Sequence, residues 1–362
     1  MKQNPIQISR KKTRSLQIGN VPIGGGAPVV VQSMTCTKTE DVASTVGQIH
    51  ALEAAGCEIV RVAVPHEAAA LAIGQIKREI SIPLVADIHF DYRLALKSME
   101  QGADKIRINP GNIGEQDRVE AVLKMAQDRG IPIRIGVNSG SLEKTLIEKY
   151  GGVTAEGLVE SALKHVAICE SVGFENIVLS IKASDVLLMI ETNRLLSEKV
   201  DFPLHLGVTE AGTLRRGILR SAVGIGALLA EGIGDTIRVS LTGDPVEEVK
   251  AAYDILKSLH LREKGITIIS CPTCGRTQTR MIPIAESVEL ALAEIDKPLT
   301  VAIMGCAVNG PGEAREADLG IACGKDSALL FKKGETICKL KEEEIIPRLI
   351  REVEEWPEDP DR

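Results

Sequence analysis

Eight short runs rich in Val, Ile and Leu recur at residues 29–33, 59–64, 84–88, 105–109, 133–138, 177–182, 204–208 and 236–241. Between them lie segments with helical spacing, at 42–55, 67–80, 117–129, 155–172, 185–199, 213–231 and 246–259. This alternation is the strongest constraint on the fold. Strands that alternate with helices form right-handed βαβ units and a parallel sheet. Eight such units in about 250 residues predict a (β/α)8 TIM barrel, placed here at residues 1–260. Gly56, Gly102, Gly130, Gly173 and Gly234 stand where helix C-caps belong. The runner-up, a doubly wound open sheet, requires a Gly-rich fingerprint after its first strand. Here Gly24-Gly25-Gly26 precedes that strand and reads as a turn.

The pattern changes near Leu261. A polar stretch, Leu261-Arg262-Glu263-Lys264-Gly265, reads as a linker, and five of the eight cysteines follow it. Strand-like runs at 266–269, 299–304, 319–323, 327–332 and 335–340, with helices at 281–295 and 342–355, predict a small α+β domain at 265–362. The acidic, Pro-containing end from Trp356 to Arg362 is expected to fray.

Aromatic residues are only 2% of the 362 residues, so the core must be aliphatic and stacking platforms for single-stranded nucleic acid are scarce. A net charge of -7 argues against a general polyanion binder. The one basic run, Arg10-Lys11-Lys12-Thr13-Arg14, reads as a solvated face. No stretch reaches the roughly 18–20 apolar residues of a membrane span, and no secretory signal is visible. The expected setting is the cytoplasm, where eight cysteines point to metal or redox roles before disulfides.

The barrel strands carry cations where a parallel sheet buried on both faces should be apolar. They are Arg61, Arg107, Arg134, Lys182 and Arg238. Each must pair with an inward carboxylate such as Asp87 or Glu210, or line a site, because an unpaired buried charge is costly. Five together favour a site. Active sites of this fold lie at the C-terminal strand ends, and converging guanidinium forks suit phosphate oxygens. A small phosphate or diphosphate ester is therefore the expected substrate, and the absence of a Walker motif disfavours a nucleoside triphosphate. Asp87, His89, Asn109, Asn138 and His205 lie in or at the ends of the same strands, and Glu210 just beyond one of them is a candidate acid. His205 reads equally well as a satisfied core histidine.

The second domain contains Ser270-Cys271-Pro272-Thr273-Cys274-Gly275-Arg276, a C-x2-C pair. A third thiol follows at Cys306, ahead of the Gly- and Pro-rich run Asn309-Gly310-Pro311-Gly312-Glu313. Three thiols in such a loop suit an iron–sulfur cluster, and structural zinc is the rival although it usually takes two C-x2-C pairs. Cys36, Cys57 and Cys169 read as small buried hydrophobes, and Cys323 and Cys338 as structural residues or a fourth ligand.

These motifs, with Val31-Gln32-Ser33-Met34-Thr35, Ala86-Asp87-Ile88-His89-Phe90, Lys105-Ile106-Arg107-Ile108-Asn109-Pro110-Gly111-Asn112, Arg134-Ile135-Gly136-Val137-Asn138 and His205-Leu206-Gly207-Val208-Thr209-Glu210, make the chain resemble a known family. It resembles the 4-hydroxy-3-methylbut-2-enyl diphosphate synthases of the non-mevalonate isoprenoid pathway, in their bacterial two-domain form, over essentially its whole length. The resemblance implies a [4Fe–4S] cluster on Cys271, Cys274, Cys306 and the carboxylate of Glu313. It implies reductive ring opening and dehydration of 2-C-methyl-D-erythritol 2,4-cyclodiphosphate. Arg61, Arg107, Arg134, Lys182, Arg238 and Ser240 would hold the substrate, with Asn138, Asp87, His89 and His205 around it. Glu210 would protonate the departing hydroxyl, and Asn309 would lie next to the cluster. A flavodoxin or ferredoxin would deliver electrons. A homodimer is implied, in which the barrel of one subunit is closed by the cluster domain of the other.

Two other readings stand beside this one. A barrel aldolase or lyase acting on a phosphosugar would use Lys182 as a Schiff base and structural zinc. An iron–sulfur electron carrier would leave the cationic strands unexplained.

Overall fold

The computed structural model describes residues 7–109, 113, 116–277, 279–293, 295–306, 317–325 and 327–357. The chain divides into two compact units, one ending at Arg262 and one beginning at Glu263.

The first unit opens with a hairpin, β1 (Leu16–Ile18) and β2 (Val21–Ile23). Eight parallel strands follow: β3 (Val30–Met34), β4 (Ile59–Ala63), β5 (Leu84–Asp87), β6 (Lys105–Ile108), β7 (Ile133–Asn138), β8 (Ile177–Lys182), β9 (His205–Leu206) and β10 (Thr236–Ile237). Strands β3 to β8 pair in chain order, and β10 lies between β9 and β3. A parallel bridge between Leu179 and Leu204 joins β8 to β9 and closes the ring. The fold is the expected TIM barrel.

Its outer layer is α1 (Val42–Ala55), α2 (Glu67–Ile76), α3 (Tyr92–Glu100), α4 (Gln116–Arg129), α5 (Lys144–Tyr150), α6 (Ala155–Ser171), α7 (Val186–Lys199), α8 (Leu214–Ala230) and α9 (Pro245–Ser258). Local chemistry sets their ends. Asp41 and Asp185 accept from the backbone N–H of Ser44 and Leu188, satisfying first-turn donors. Gly56 ends α1 at φ 97°, a conformation that favours glycine. Helices α3 and α5 and the hairpin are additions to the sequence reading, and α2 stops at Ile76 rather than residue 80.

Strand alternation sorts the barrel side chains into two sets. Val31, Val60, Val62, Ala86, Ile106, Ile135, Leu179 and Ile237 join the aliphatic layer shared with the helices. The opposite set points inward. At the N-terminal end of the strands it is apolar: Val30, Ile59, Val85 and Val178 pack on Leu16, Ile18 and Ile23 of the hairpin, which plugs that end. Beyond this plug the interior becomes polar, so the chemistry is confined to the other end.

The basic run at residues 10–14 is not a solvated face. Arg10 and Thr13 bond the buried Asp235 at 3.0 and 2.9 Å, and Arg14 bonds Asp201 at 2.8 Å. The run straps the chain start to the strand-entry loops, because a buried Asp235 needs partners. Arg262, read as linker, bonds Glu58 at 3.0 Å.

The second unit is a five-stranded sheet of β11 (Thr267–Ser270), β12 (Thr300–Met304), β13 (Leu319–Gly324), β14 (Ser327–Lys332) and β15 (Glu335–Leu340). The first three strands run parallel and the last two add antiparallel. Helices α10 (Met281–Leu292) and α11 (Ile345–Glu354) cover one face through Val288, Leu292, Leu349 and Val353. Trp356, expected to fray, is held: its carbonyl accepts from Lys297 at 3.2 Å, and Lys332 sits 4.8 Å from its ring centroid. No helix among the described residues is long and apolar enough to cross a membrane.

Candidate active site

The strands bring all five foreseen cations to one interior, and a sixth joins them. Lys105 lies two residues before Arg107 on β6 and is fully buried. Period two along a strand, applied backwards from Arg107, is the signal that would have found it. Two carboxylates meet these six cations among the described residues. Asp87, at the end of β5, bonds Arg107 at 3.1 Å, lies 3.7 Å from Arg61, and lies 3.6 Å from His89. Burial acts to raise its pKa, but Arg61, His89 and Arg107 outweigh that and hold the carboxyl well below the usual range.

The second carboxylate is Glu248 on α9, which the sequence reading missed. It is buried, pairs with Arg238 at 3.3 Å, and accepts from Ser33 and from the backbone N–H of Leu241 at 3.0 and 2.9 Å. An acidic residue on a helix is ordinary. Only its place on the buried stripe with Pro245, Val249 and Ala252 hinted at an inward role. Glu210 is not the partner of any of these cations. It sits exposed beyond β9 at φ 52°, a left-handed conformation rare for a side chain of its size.

Pairing therefore explains Arg61, Arg107 and Arg238 and fails for the rest. Arg134 is 1% exposed, and its Nε and Nη1 have no hydrogen-bond partner among the described residues. Lys182 is buried, and burial followed by repulsion from Arg61, Arg238, Arg134 and Arg107 pushes its ammonium well below the ordinary lysine value. His205 bonds Thr236 through Nδ1 at 2.7 Å, but its Nε2 has no partner among the described residues. It is half satisfied, between the two readings given above. Burial, then the charges of Arg134 and Lys182, keep it neutral.

Two glycines make room for this array. A Cβ on Gly136 would come within 2.6 Å of Arg107 Nε, and one on Gly207 within 2.7 Å of the Arg238 carbonyl and 2.9 Å of Lys182 Nζ. Asn109 is buried, while Asn138 and Ser240 are half-buried at the strand ends and His89 is exposed. The assembled interior is a closed barrel with excess positive charge and guanidinium donors lacking acceptors. Chemically it suits a compact polyanion.

None of the eight cysteines is in a disulfide, and five of them lie in the second unit. Cys271 follows β11 and donates its N–H to Ile303 of β12 at 2.9 Å; Cys306 lies two residues beyond β12. The backbone N–H of Cys274 bonds Thr277 Oγ1 at 3.1 Å, and a Cβ on Gly305 would meet Thr277 at 3.2 Å. Adjacent parallel strands thus carry the three thiols to one end of the sheet. No three of His, Cys, Asp and Glu among the described residues are gathered tightly enough to enclose a metal ion. Asn309 and Glu313 lie outside the described residues. The donor set, three thiols from two neighbouring loops, fits a thiolate-held cluster. Cys323 is different: it is buried in the sheet core, which pushes its thiol up to about 11. Cys57 and Cys169 are buried as expected, but Cys36 is exposed, its Sγ accepting from Gln48 at the barrel surface.

The model of the GcpE TIM-barrel domain matches residues 13–253, and that of the GcpE protein C-terminal domain matches residues 267–355. A protein of Ruminiclostridium cellulolyticum named 4-hydroxy-3-methylbut-2-en-1-yl diphosphate synthase (flavodoxin) is 61% identical over 96% of this chain and 99% of its own length. Proteins of the same name from Geobacter sulfurreducens and Anoxybacillus flavithermus are 59% and 57% identical, over 95% and 97% of this chain and 98% and 97% of their own lengths. These matches set aside the aldolase and the electron carrier. The chain belongs to the GcpE family, the 4-hydroxy-3-methylbut-2-en-1-yl diphosphate synthases.

Proposed function

We propose that the cationic barrel interior binds the substrate of this family and that the three thiols of the second unit hold its redox group. The activity is that of the family: an oxidoreductase that opens 2-C-methyl-D-erythritol 2,4-cyclodiphosphate and removes a hydroxyl as water. In balance, the substrate dianion, two electrons and a proton give the 4-hydroxy-3-methylbut-2-enyl diphosphate trianion and water. Charge on the phosphates grows by one as the ring opens.

The observation that carries the substrate assignment is Arg134, buried with two unsatisfied donors in an interior where cations outnumber carboxylates. A diphosphate supplies the missing acceptors. Arg61, Arg107, Lys182 and Arg238 surround it in this reading, with Ser240, Asn138, His205, Asp87 and His89 setting its orientation. Asp87 also keeps two of the arginines aimed inward. Glu210, on the loop after β9, donates the proton that leaves with the hydroxyl.

Cys271, Cys274 and Cys306, with Glu313 as fourth ligand, hold a [4Fe–4S] cluster in this reading, and Asn309 lies beside it. When bound, such a cluster supplies single electrons at low potential. A flavodoxin delivers them, as the relatives' names state for those proteins. The same reading makes the protein a cytoplasmic homodimer, which sedimentation of the holoenzyme checks.

Iron analysis of five single variants tests the ligand set. Cys271→Ser, Cys274→Ser and Cys306→Ser should lose the brown colour and most of the iron, about four per chain for an intact cluster. Cys323→Ser and Cys338→Ser should keep it. Full iron in Cys306→Ser would remove the assignment.

A further inference from the structure

Lys105 has no place in the reading above. It is fully buried on β6, in register with Val85 of the apolar plug, so it belongs to the floor of the barrel rather than the mouth. Its Nζ reaches one oxygen among the described residues, the amide Oε1 of Gln32 on β3, at 3.4 Å. Gln32 is itself 1% exposed, and its Nε2 has no partner among the described residues. Among the described residues the charged groups whose fields act on Lys105 are Arg134 of β7 and Arg61 of β4, Lys105 in turn acts on His205 of β9, and none of these is negative. Arg107, Lys182 and Arg238 add positive charge to the same interior. Its two carboxylates are engaged elsewhere, Asp87 with Arg61 and Arg107 and Glu248 with Arg238.

An ammonium in this position would be buried without a counterion, against a weak neutral acceptor and beside two guanidinium groups. Arginine keeps its charge under such conditions; lysine gives its proton up. We propose that Lys105 is a positioning residue that takes up a proton when the anionic substrate enters, so that the barrel floor turns positive only when an anion is there to meet it. The proposal rests on the barrel being the substrate site. Burial first, then Arg134 and Arg61, hold the Lys105 ammonium well below the ordinary lysine value in the empty barrel. A bound dianion reverses the sign of the local field and favours the charged form. The step is an acid–base one: the Nζ lone pair takes a proton from the buffer and Nζ becomes an ammonium held by Gln32 Oε1. That ammonium is then in place for the extra negative charge that ring opening creates.

Titration calorimetry of the oxidised holoenzyme with the cyclodiphosphate, without reductant, reads this directly. Enthalpies in buffers of different ionisation heat give the number of protons taken up. The wild type should take up about two protons per site near pH 7.5, one on Lys105 and one on Lys182, whose ammonium burial and neighbouring cations also hold down, and its affinity should fall up to tenfold per unit and per proton as pH rises above that. Lys105→Met should bind more weakly at pH 6.5, with one of those protons removed. Gln32→Glu, which gives Lys105 a permanent counterion, should lose the same proton by the opposite route and keeps the test alive if Lys105→Met does not fold. Lys182→Met should lose its own proton and retain the one on Lys105. Unchanged uptake in both Lys105→Met and Gln32→Glu, or loss of all uptake in Lys182→Met, overturns the proposal. A wild-type holoenzyme that does not bind the cyclodiphosphate overturns the substrate assignment beneath it.

Discussion

Arg134 and Arg107 are neighbours in register on β7 and β6, yet their substitution should have opposite effects on folding. Arg107 is held by Asp87, so Arg107→Ala leaves that carboxylate with only Arg61 and His89 and should destabilise the barrel by about 1–3 kcal/mol while weakening substrate binding. Arg134 has no carboxylate bonded to it among the described residues, and its Nε and Nη1 lack any acceptor there. Arg134→Leu removes an uncompensated buried charge, so the empty protein should unfold at the same temperature or higher. Its substrate affinity should fall roughly 10- to 150-fold, the equivalent of about 1.5–3 kcal/mol for one charge-assisted phosphate contact. Melting curves and binding isotherms of the two variants check both halves, and early melting of Arg134→Leu would make that arginine a structural residue. Gly136 belongs to the same argument. Its added methyl would come within 2.6 Å of Arg107 Nε and turn that guanidinium away from Asp87, so Gly136→Ala should lower the melting temperature as Arg107→Ala does and raise KM about tenfold.

At the scale of elements, the hairpin of β1 and β2 and the barrel mouth lie at opposite ends of the same strands, which allows stability and function to be separated. Ile23 is fully buried in the plug with Val30, Ile59, Val85 and Val178. Ile23→Ala should cost about 2–4 kcal/mol of barrel stability. KM for the cyclodiphosphate should not change, and a large rise would show that the plug reaches the site. This hairpin was invisible in the sequence because three-residue strands carry too little periodicity to register. The eight barrel strands were legible for the opposite reason: each is apolar on its outer face, and its period-two partner is the place where a charge stands out. That is how Arg61, Arg107, Arg134, Lys182 and Arg238 were found. Their partners were not, because pairing is tertiary. Glu248 reaches Arg238 from a helix, and Arg10 reaches Asp235 across 225 residues of chain. Helix α3 escaped notice through its short, polar sequence, although Asp91 caps it. The thiols were legible as C-x2-C plus one, and the fold adds that β11 and β12 are adjacent.

For the whole barrel, the six inward basic side chains set against two carboxylates among the described residues determine how stability varies with pH. Burial, then repulsion by neighbouring cations, keeps Lys105 and Lys182 well below the ordinary lysine value in the folded chain. Unfolded, they titrate near 10.4. Between those values the unfolded chain binds more protons than the folded one, so stability rises with pH. His205, kept neutral by burial and then by Arg134 and Lys182, acts in the same sense as pH climbs towards about 6.5. Two buried thiols oppose the lysines. Burial pushes Cys57 and Cys169 up to about 12, whereas an unfolded thiol titrates near 8.5. Above about pH 8.5 the folded chain therefore retains protons that the unfolded one has lost, and stability falls as pH rises. A fully titrating group contributes about 1.4 kcal/mol per pH unit, so two lysines and two thiols nearly cancel above pH 8.5 and the lysines act unopposed below it. The barrel transition, followed by calorimetry, should climb from pH 6 to about 8.5 and then level. Lys105→Met should climb less steeply, because one of the two titrating amines is gone. A midpoint that stays flat or falls between pH 6 and 8.5 would mean that both lysines keep their protons in the empty barrel, and that their charge is compensated within the fold rather than reserved for the substrate.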